Sequence, residues 1–213
     1  MARTARSARK PRRPYHHGNL RRALLDEALA TIRDEGVDAL TLREIGARLG
    51  VSRTALYRHF ADKRALLAAV ATEGFRTLRQ RLVTAWEEGG RGPEAFESMG
   101  IAYVGFAVEN PSHYRVMFGG FVEATAYTPE LATEGAAAFQ ALVDALAALQ
   151  RNAIVRGDDL LLMARFVWSV VHGVAMLGID GQLPERGAVE ELMRYAVTRL
   201  GTGISPDRPA GST

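Results

Sequence analysis

The stretch TLREIGARLGVSRTALYRHFADKRALL, Thr41 to Leu67, decides the fold. Thr41 stands three residues before Glu44, the capping-box spacing in which each side chain satisfies the other's free backbone amide. Leu42, Ile45, Ala47 and Leu49 follow at helical spacing, and Gly50 stops this short helix. After the small turn Gly50, Val51, Ser52, the serine caps a helix predicted from Arg53 to about Phe60, and Asp62 caps the next start. Two short helices joined by a glycine-bearing turn, with a support helix behind them, have the geometry of a helix-turn-helix.

Upstream, Leu20, Leu24, Leu25, Ala28, Leu29 and Ile32 recur at helical spacing between Asn19, a cap, and Gly36, a stop. Before them Arg3, Arg6, Arg9, Lys10, Arg12 and Arg13 lie among small residues and prolines with no hydrophobic period. Residues 1–14 read as a disordered basic arm, the bland alternative being a merely solvated tail. Residues 1–64 carry 15 Lys/Arg against 7 Asp/Glu, whereas residues 65–213 carry 12 against 17. The front is basic and suits a polyanion; the acidic rear points to a different task.

Downstream, Leu66, Leu67, Val70, Phe75, Leu78, Leu82 and Trp86 support a long helix ending near Gly89 and Gly90. Pro93 opens a helix through Glu109, Pro111 a short one through about Phe118, and Pro129 a long one reaching about Val155. A further helix is predicted from about Asp158 to Leu177, and a last one from about Pro184 to Leu200. The expected fold is all-α, about nine helices: an N-terminal three-helix helix-turn-helix domain joined by a long helix to a C-terminal bundle. The predicted division is a basic arm at 1–14, the helix-turn-helix domain at 15–64, a rear helical domain at 65–203, and a flexible tail at 204–213.

A composition of 47% hydrophobic and 24% charged residues is that of a globular chain. The absence of cysteine removes disulfides, thiolate zinc sites and cysteine nucleophiles, and agrees with a reducing compartment. The basic start has no apolar stretch behind it to make a secretory signal. The longest apolar stretch, the 14 residues from Phe166 to Ile179, falls short of the roughly 20 that span a bilayer. A cytoplasmic location without membrane contact is expected.

A helix laid in the major groove must present small or polar residues near its N-terminal end, so that its backbone approaches the base edges. Ser52, Arg53, Thr54 and Ala55 meet that need: Arg53 can donate twice to guanine, Thr54 can donate or accept, and Ala55 can touch a thymine methyl. Leu56 and Phe60, four apart, turn inward. Tyr57, His59 and Lys63 can reach phosphates, as can Arg43, Thr41 and the Tyr15, His16, His17 run. Each has a plainer reading: Tyr57 completing a core, Arg43 and Arg58 solvated, the two histidines in a loop.

Taken together, residues 15–75 resemble the N-terminal DNA-binding domain of TetR-family transcriptional regulators. The likeness rests on Thr41, Leu42, Ile45, Ala47, Leu49, Gly50, Val51, Thr54, Leu56, Tyr57, His59, Phe60 and Lys63 to Leu67, above all the pattern Leu-Tyr-x-His-Phe-x-x-Lys. The resemblance implies a dimeric, all-helical repressor with Thr41, Arg43, Ser52, Arg53, Thr54, Ala55, Tyr57, His59 and Lys63 at DNA-facing positions. In the rear, Trp168, His172 and Gly173 in WSVVHG resemble the subgroup named for those three residues.

The rear holds no nucleophile-base frame, phosphate-cradling glycine loop or histidine pair at metal spacing, so no enzyme, cofactor or metal is expected. Its aromatic and sulfur-bearing residues read first as core. A helical bundle can nonetheless enclose a pocket, and the resemblance implies an effector site there, with Tyr103, Phe106, His113, Met117, Phe118, Phe121, Trp168 and His172 as candidates. The helix after Asp158 is apolar on more than one face. A symmetric four-helix homodimer interface is predicted from Val167, Val170, Val171, Val174, Val189, Leu192, Met193, Ala196, Val197 and Leu200, the alternative being a helix central to its own domain. The expected partners are a double-stranded DNA operator, a small-molecule effector of unknown identity and a second copy of the chain. The rival is a helical ligand-binding or catalytic protein whose basic front serves RNA or an anionic membrane.

Overall fold

The structure, a computed structural model, describes residues 20–122, 128–183, 185 and 187–205. Among these, regular structure is helical throughout, in the order α1 (Leu20–Glu35), α2 (Leu42–Leu49), α3 (Arg53–Tyr57), α4 (Lys63–Glu88), α5 (Pro93–Glu109), α6 (Pro111–Phe118), α7 (Pro129–Arg151), α8 (Leu160–Ile179) and α9 (Ala188–Ile204). The arm at 1–14, the Tyr15, His16, His17 run, Asn19, Pro184 and positions 206–213 lie outside the described residues.

The predicted caps do satisfy orphan amides. Ser52 Oγ accepts from the Ala55 N–H at 3.2 Å and Asp62 Oδ1 from the Ala65 N–H at 2.8 Å. The capping box closes differently from its expected form. Thr41 Oγ1 accepts the Glu44 N–H at 3.2 Å, but the Glu44 carboxylate takes the Thr41 hydroxyl proton at 2.8 Å rather than the Thr41 amide.

Helix ends depart from the sequence reading where packing outweighs local pattern. α3 stops at Tyr57 because the chain must turn to bury Phe60. α7 stops at Arg151, not Val155: Ala153 takes a φ of 55°, and the Gln150 side chain donates to the carbonyls of Arg156 and Asp158, steering Val155 into the core. α8 begins at Leu160 and reaches Ile179, 20 residues, longer than the stretch singled out in the sequence. By length and composition alone it could cross a membrane; here Met163, Val167, Val171 and Val174 are buried in the bundle. α9 continues past Leu200 to Ile204, which is buried, and Arg156 ties its end through the carbonyls of Ile204 and Ser205.

Leu24, Ala28, Leu40, Ile45, Leu56, Phe60 and Leu66 close the core of the front three-helix unit, and α4 carries that core without interruption into the rear bundle. Arg48 reaches from α2 to Glu27, Thr31 and Glu35 of α1, fixing the angle between them. α6 crosses α4 where Gly74 leaves room; a Cβ there would overlap the Met117 sulfur. Arg22 of α1 meets Glu73 of α4 at 2.8 Å, with His113 of α6 at 3.5 Å from the same oxygen.

Gly50 ends α2 at φ 69°, ψ 28°, left-handed backbone that costs an L-residue roughly 1–2 kcal/mol. Gly50→Ala is expected to lower unfolding free energy by about that amount, read from the denaturant midpoint at unchanged slope.

Candidate nucleic-acid interface and ligand cavity

In the front unit Leu56 and Phe60 are 2% and 3% exposed, so α3 is pinned by one face and its other face is solvent. Thr41, Arg43, Ser52, Arg53, Thr54, Tyr57 and His59 are all exposed, and Ala55 is half-buried beside them. Tyr57, at 53% exposure, is therefore not a core residue. Lys63 is half-buried, its ammonium donating to the Asp38 carbonyl at 3.3 Å, so it ties the α1–α2 connection while sitting at the start of α4. Arg58 is solvated. Two residues that sequence pattern did not single out shape this unit: Arg48, through its fork to α1, and Arg21, whose guanidinium lies 5.4 Å from the Phe60 ring centre. Both act across long sequence separations, which periodicity does not register.

The rear bundle holds a partly open cavity of about 460 Å³, a size suited to a small organic ligand. Its wall is aromatic and aliphatic, with Phe75, Phe96, Phe118, Phe139, Tyr103 and Trp168 prominent. Glu97 and Arg165, both exposed, are the charged residues on it. Of the eight candidates drawn from sequence, Tyr103, Met117, Phe118 and Trp168 line this space. Phe106 does not: it is 1% exposed and packs beneath the Arg81 guanidinium. His113 faces Glu73 instead, and Phe121 lines a separate cleft between α1, α6 and the end of α8. His172 stands behind the wall. The lining residues Phe75, Leu78 and Leu82 were legible in the sequence only as core, because a cavity wall and a packed interior share one periodicity.

Behind the wall runs a hydrogen-bonded chain. Trp168 Nε1–H donates to Tyr103 Oη at 3.0 Å, Tyr103 Oη lies 2.9 Å from Tyr114 Oη, and Tyr114 Oη lies 2.6 Å from His172 Nδ1. Burial pushes the Tyr103 phenol up to about 12 and the Tyr114 phenol higher still, so both keep their protons. Burial also holds the imidazoles of His172 and His113 below the usual histidine value, the latter despite Glu73.

A family model described as "Bacterial regulatory proteins, tetR family" matches residues 24–70, and one described as "Tetracyclin repressor-like, C-terminal domain" matches residues 96–200. The chain belongs to the TetR family. Its structure superimposes with a TM-score of 0.80 on a protein of unknown function from Rhodococcus sp. RHA1, 32% identical, covering 92% of this chain and 100% of that one. The regulator PfmR from Thermus thermophilus shares the fold at a TM-score of 0.67 and 22% identity, over 87% of this chain and 99% of that one. Tetracycline repressor protein class C from Escherichia coli is 49% identical over 51 residues, 24% of this chain and 23% of that one. The uncharacterized HTH-type transcriptional regulator YobS from Bacillus subtilis (strain 168) is 30% identical over 97 residues, 46% of this chain and 50% of that one. The chain spans half or less of the length of these two curated relatives.

In this TetR-family chain the residues that sequence assigned to a dimer interface mostly serve its own core. Val167, Val171, Val174, Met193, Ala196, Val197 and Leu200 are buried, and Val170, Val189 and Leu192 are half-buried against them. They occupy the seams of α8 and α9 with α5 and α7, because the long apolar faces of α8 and α9 are needed to close the bundle. The solvent side of α8 instead carries Leu161, Leu162, Phe166 and Leu177, and α9 adds Tyr195.

The two low histidines set a pH dependence. An unfolded chain takes up protons near the ordinary value of about 6.5 while the folded chain resists them, so stability falls as pH drops through that value and is unaffected well above it. His172→Asn, whose carbonyl can still accept from Tyr114, is expected to flatten part of this fall in a melting-temperature series.

Proposed function

We propose that this chain is a repressor that binds a roughly palindromic operator in double-stranded DNA as a homodimer and is released by a small molecule taken into the rear cavity. The observation that carries the reading is the solvent-exposed edge Ser52, Arg53, Thr54 at the start of α3, a helix anchored to the front core by buried Leu56 and, just beyond its end, Phe60. Two copies of α3 enter successive major grooves about one helical turn apart and occlude transcription. Arg53, Thr54 and Ala55 read base edges; Thr41, Arg43, Ser52, Tyr57, His59 and Lys63 engage phosphates and set register. A DNA partner places the protein in the cytoplasm, with the chromosome.

Homodimerisation uses the solvent side of α8, where Leu162, Phe166 and Leu177 lie at helical spacing, together with Tyr195 of α9. Release follows from α4, which begins in the DNA-binding unit at Lys63 and lines the cavity with Phe75, Leu78 and Leu82. A ligand that prefers a different setting of α4 moves the two DNA-binding units out of register. Hundredfold tighter binding to the released state supplies about 2.7 kcal/mol.

Arg53→Ala is expected to cost roughly 1–3 kcal/mol at the operator and relax base preference, whereas Lys63→Ala should weaken all duplexes alike and lower the salt slope. Gel shifts with DNA flanking the chain's own gene, with single-stranded RNA as competitor, check both; equal loss of specificity in the two variants contradicts these roles, and preference for the RNA contradicts the DNA partner. Phe166→Asp is expected to convert the dimer to monomer in sedimentation while leaving helical content unchanged.

A further inference from the structure

The hydrogen-bonded chain behind the cavity has a direction, and the direction selects a ligand. Tyr103 Oη has one proton and two lone pairs to place. One lone pair holds the Trp168 N–H at 3.0 Å. Its proton has two acceptors on the inner side, Tyr114 Oη at 2.9 Å and His172 Nδ1 at 3.2 Å. Tyr114 is wholly buried, and its own proton finds His172 Nδ1 at 2.6 Å. In this sense every phenolic proton has an acceptor: Trp168 to Tyr103, Tyr103 to Tyr114, Tyr114 to His172.

The opposite sense puts a proton on His172 Nδ1, turns Tyr114 toward Tyr103, and leaves the Tyr103 proton without a protein acceptor on a residue that lines the cavity beside Phe75, Phe118 and Phe139. The first sense leaves its spare proton on Nε2 of half-buried His172, whereas the second strands one on Tyr103, which is buried. Pairing Tyr103 directly with His172 would leave the 2.6 Å Tyr114–His172 contact without a proton, so the first sense holds. What Tyr103 offers to the cavity is then a lone pair, with its proton already committed. Burial, which keeps both phenols protonated, keeps that pattern in place.

We infer that the cavity selects an uncharged, largely apolar molecule carrying a single hydrogen-bond donor, a hydroxyl or N–H, which it seats on Tyr103 Oη. This rests on reading the cavity as the effector site and specifies the class of effector. A donor ligand completes the Tyr103 oxygen without disturbing its neighbours. An acceptor-only ligand must draw the Tyr103 proton away from Tyr114, or reverse the chain and switch the His172 tautomer, so it gains one bond only by breaking another. A carboxylate finds no donor at Tyr103 and has only the exposed Arg165, opposed in sign by Glu97, on the cavity wall.

The test uses the full chain and three probes of one length: n-octanol, its methyl ether, which keeps the oxygen but loses the donor, and octanoate. The sequence has two tryptophans, so Trp86→Phe leaves Trp168, on the cavity wall, as the sole reporter of binding by emission. Calorimetry on the wild-type chain gives the same ranking should that variant unfold. Octanol is expected to bind about tenfold more tightly than the ether or octanoate, the factor one buried hydrogen bond supplies. Tyr103→Phe is expected to bring octanol and ether level. Nitrogen NMR of the wild-type chain should find His172 protonated at Nε2 both free and with octanol. Ether or octanoate binding as tightly as octanol, or His172 protonated at Nδ1 in the free protein, overturns the inference and leaves the cavity a ligand site. No binding of any probe overturns the cavity reading and the inference with it.

Discussion

α4 must satisfy two cores with one rod. Its 26 residues extend for about 39 Å at helical rise, and they bury Leu66, Leu67 and Val70 toward the helix-turn-helix unit and Leu78 and Leu82 in the bundle. One unbroken helix thus joins Lys63, at the front unit, to Phe75 and Leu78 on the cavity wall. Glu73, midway along, holds Arg22 of α1 on one side and faces His113 of α6 on the other, joining three elements at the point where the two units meet. Arg76 and Arg79 grip Glu130 and Glu134 of α7, so one wall of the cavity is fastened to the same rod.

The cavity and the chain of polar groups behind it share an origin. Large aromatic side chains fill space in coarse units, and Gly135 facing Phe75 together with the small residues of α7 leaves a volume unfilled. Such a void forfeits dispersion contacts, a cost that ordinary core packing avoids. Beside it Tyr103, Tyr114, His172 and Trp168 form a network in which both phenol hydroxyls and the indole N–H have partners, the condition under which buried polar groups do not destabilise. α6 carries Tyr114 and Phe118 on this side and packs against α1 on the other, so the network and the helix-turn-helix unit are separated by one helix.

Much of this was legible in the residues. Caps at Thr41, Ser52 and Asp62 and proline starts at Pro93, Pro111 and Pro129 are local signals, and the chain obeys them because an orphan amide must be satisfied wherever the helix lies. The edge of α3 was legible from residue type: Leu56 and Phe60 are apolar and go inward, while small and polar Ser52, Arg53 and Thr54 at the capped start stay in solvent. The ends of α3, α7 and α9 were not, since Phe60, Val155 and Ile204 are drawn inward by contacts with remote helices.

Sequence by itself determined the all-helical order, the capped turn and the side of α3 that meets solvent, because caps and periodicity act within a few residues of themselves. Only the tertiary structure decided which valines of α8 and α9 belong to the chain's own core, and that His172 joins Tyr103 and Tyr114 rather than lining the cavity. An apolar stripe states that it must be covered and is silent about by what; the crossing of α8 over α5 and α9 supplies the answer.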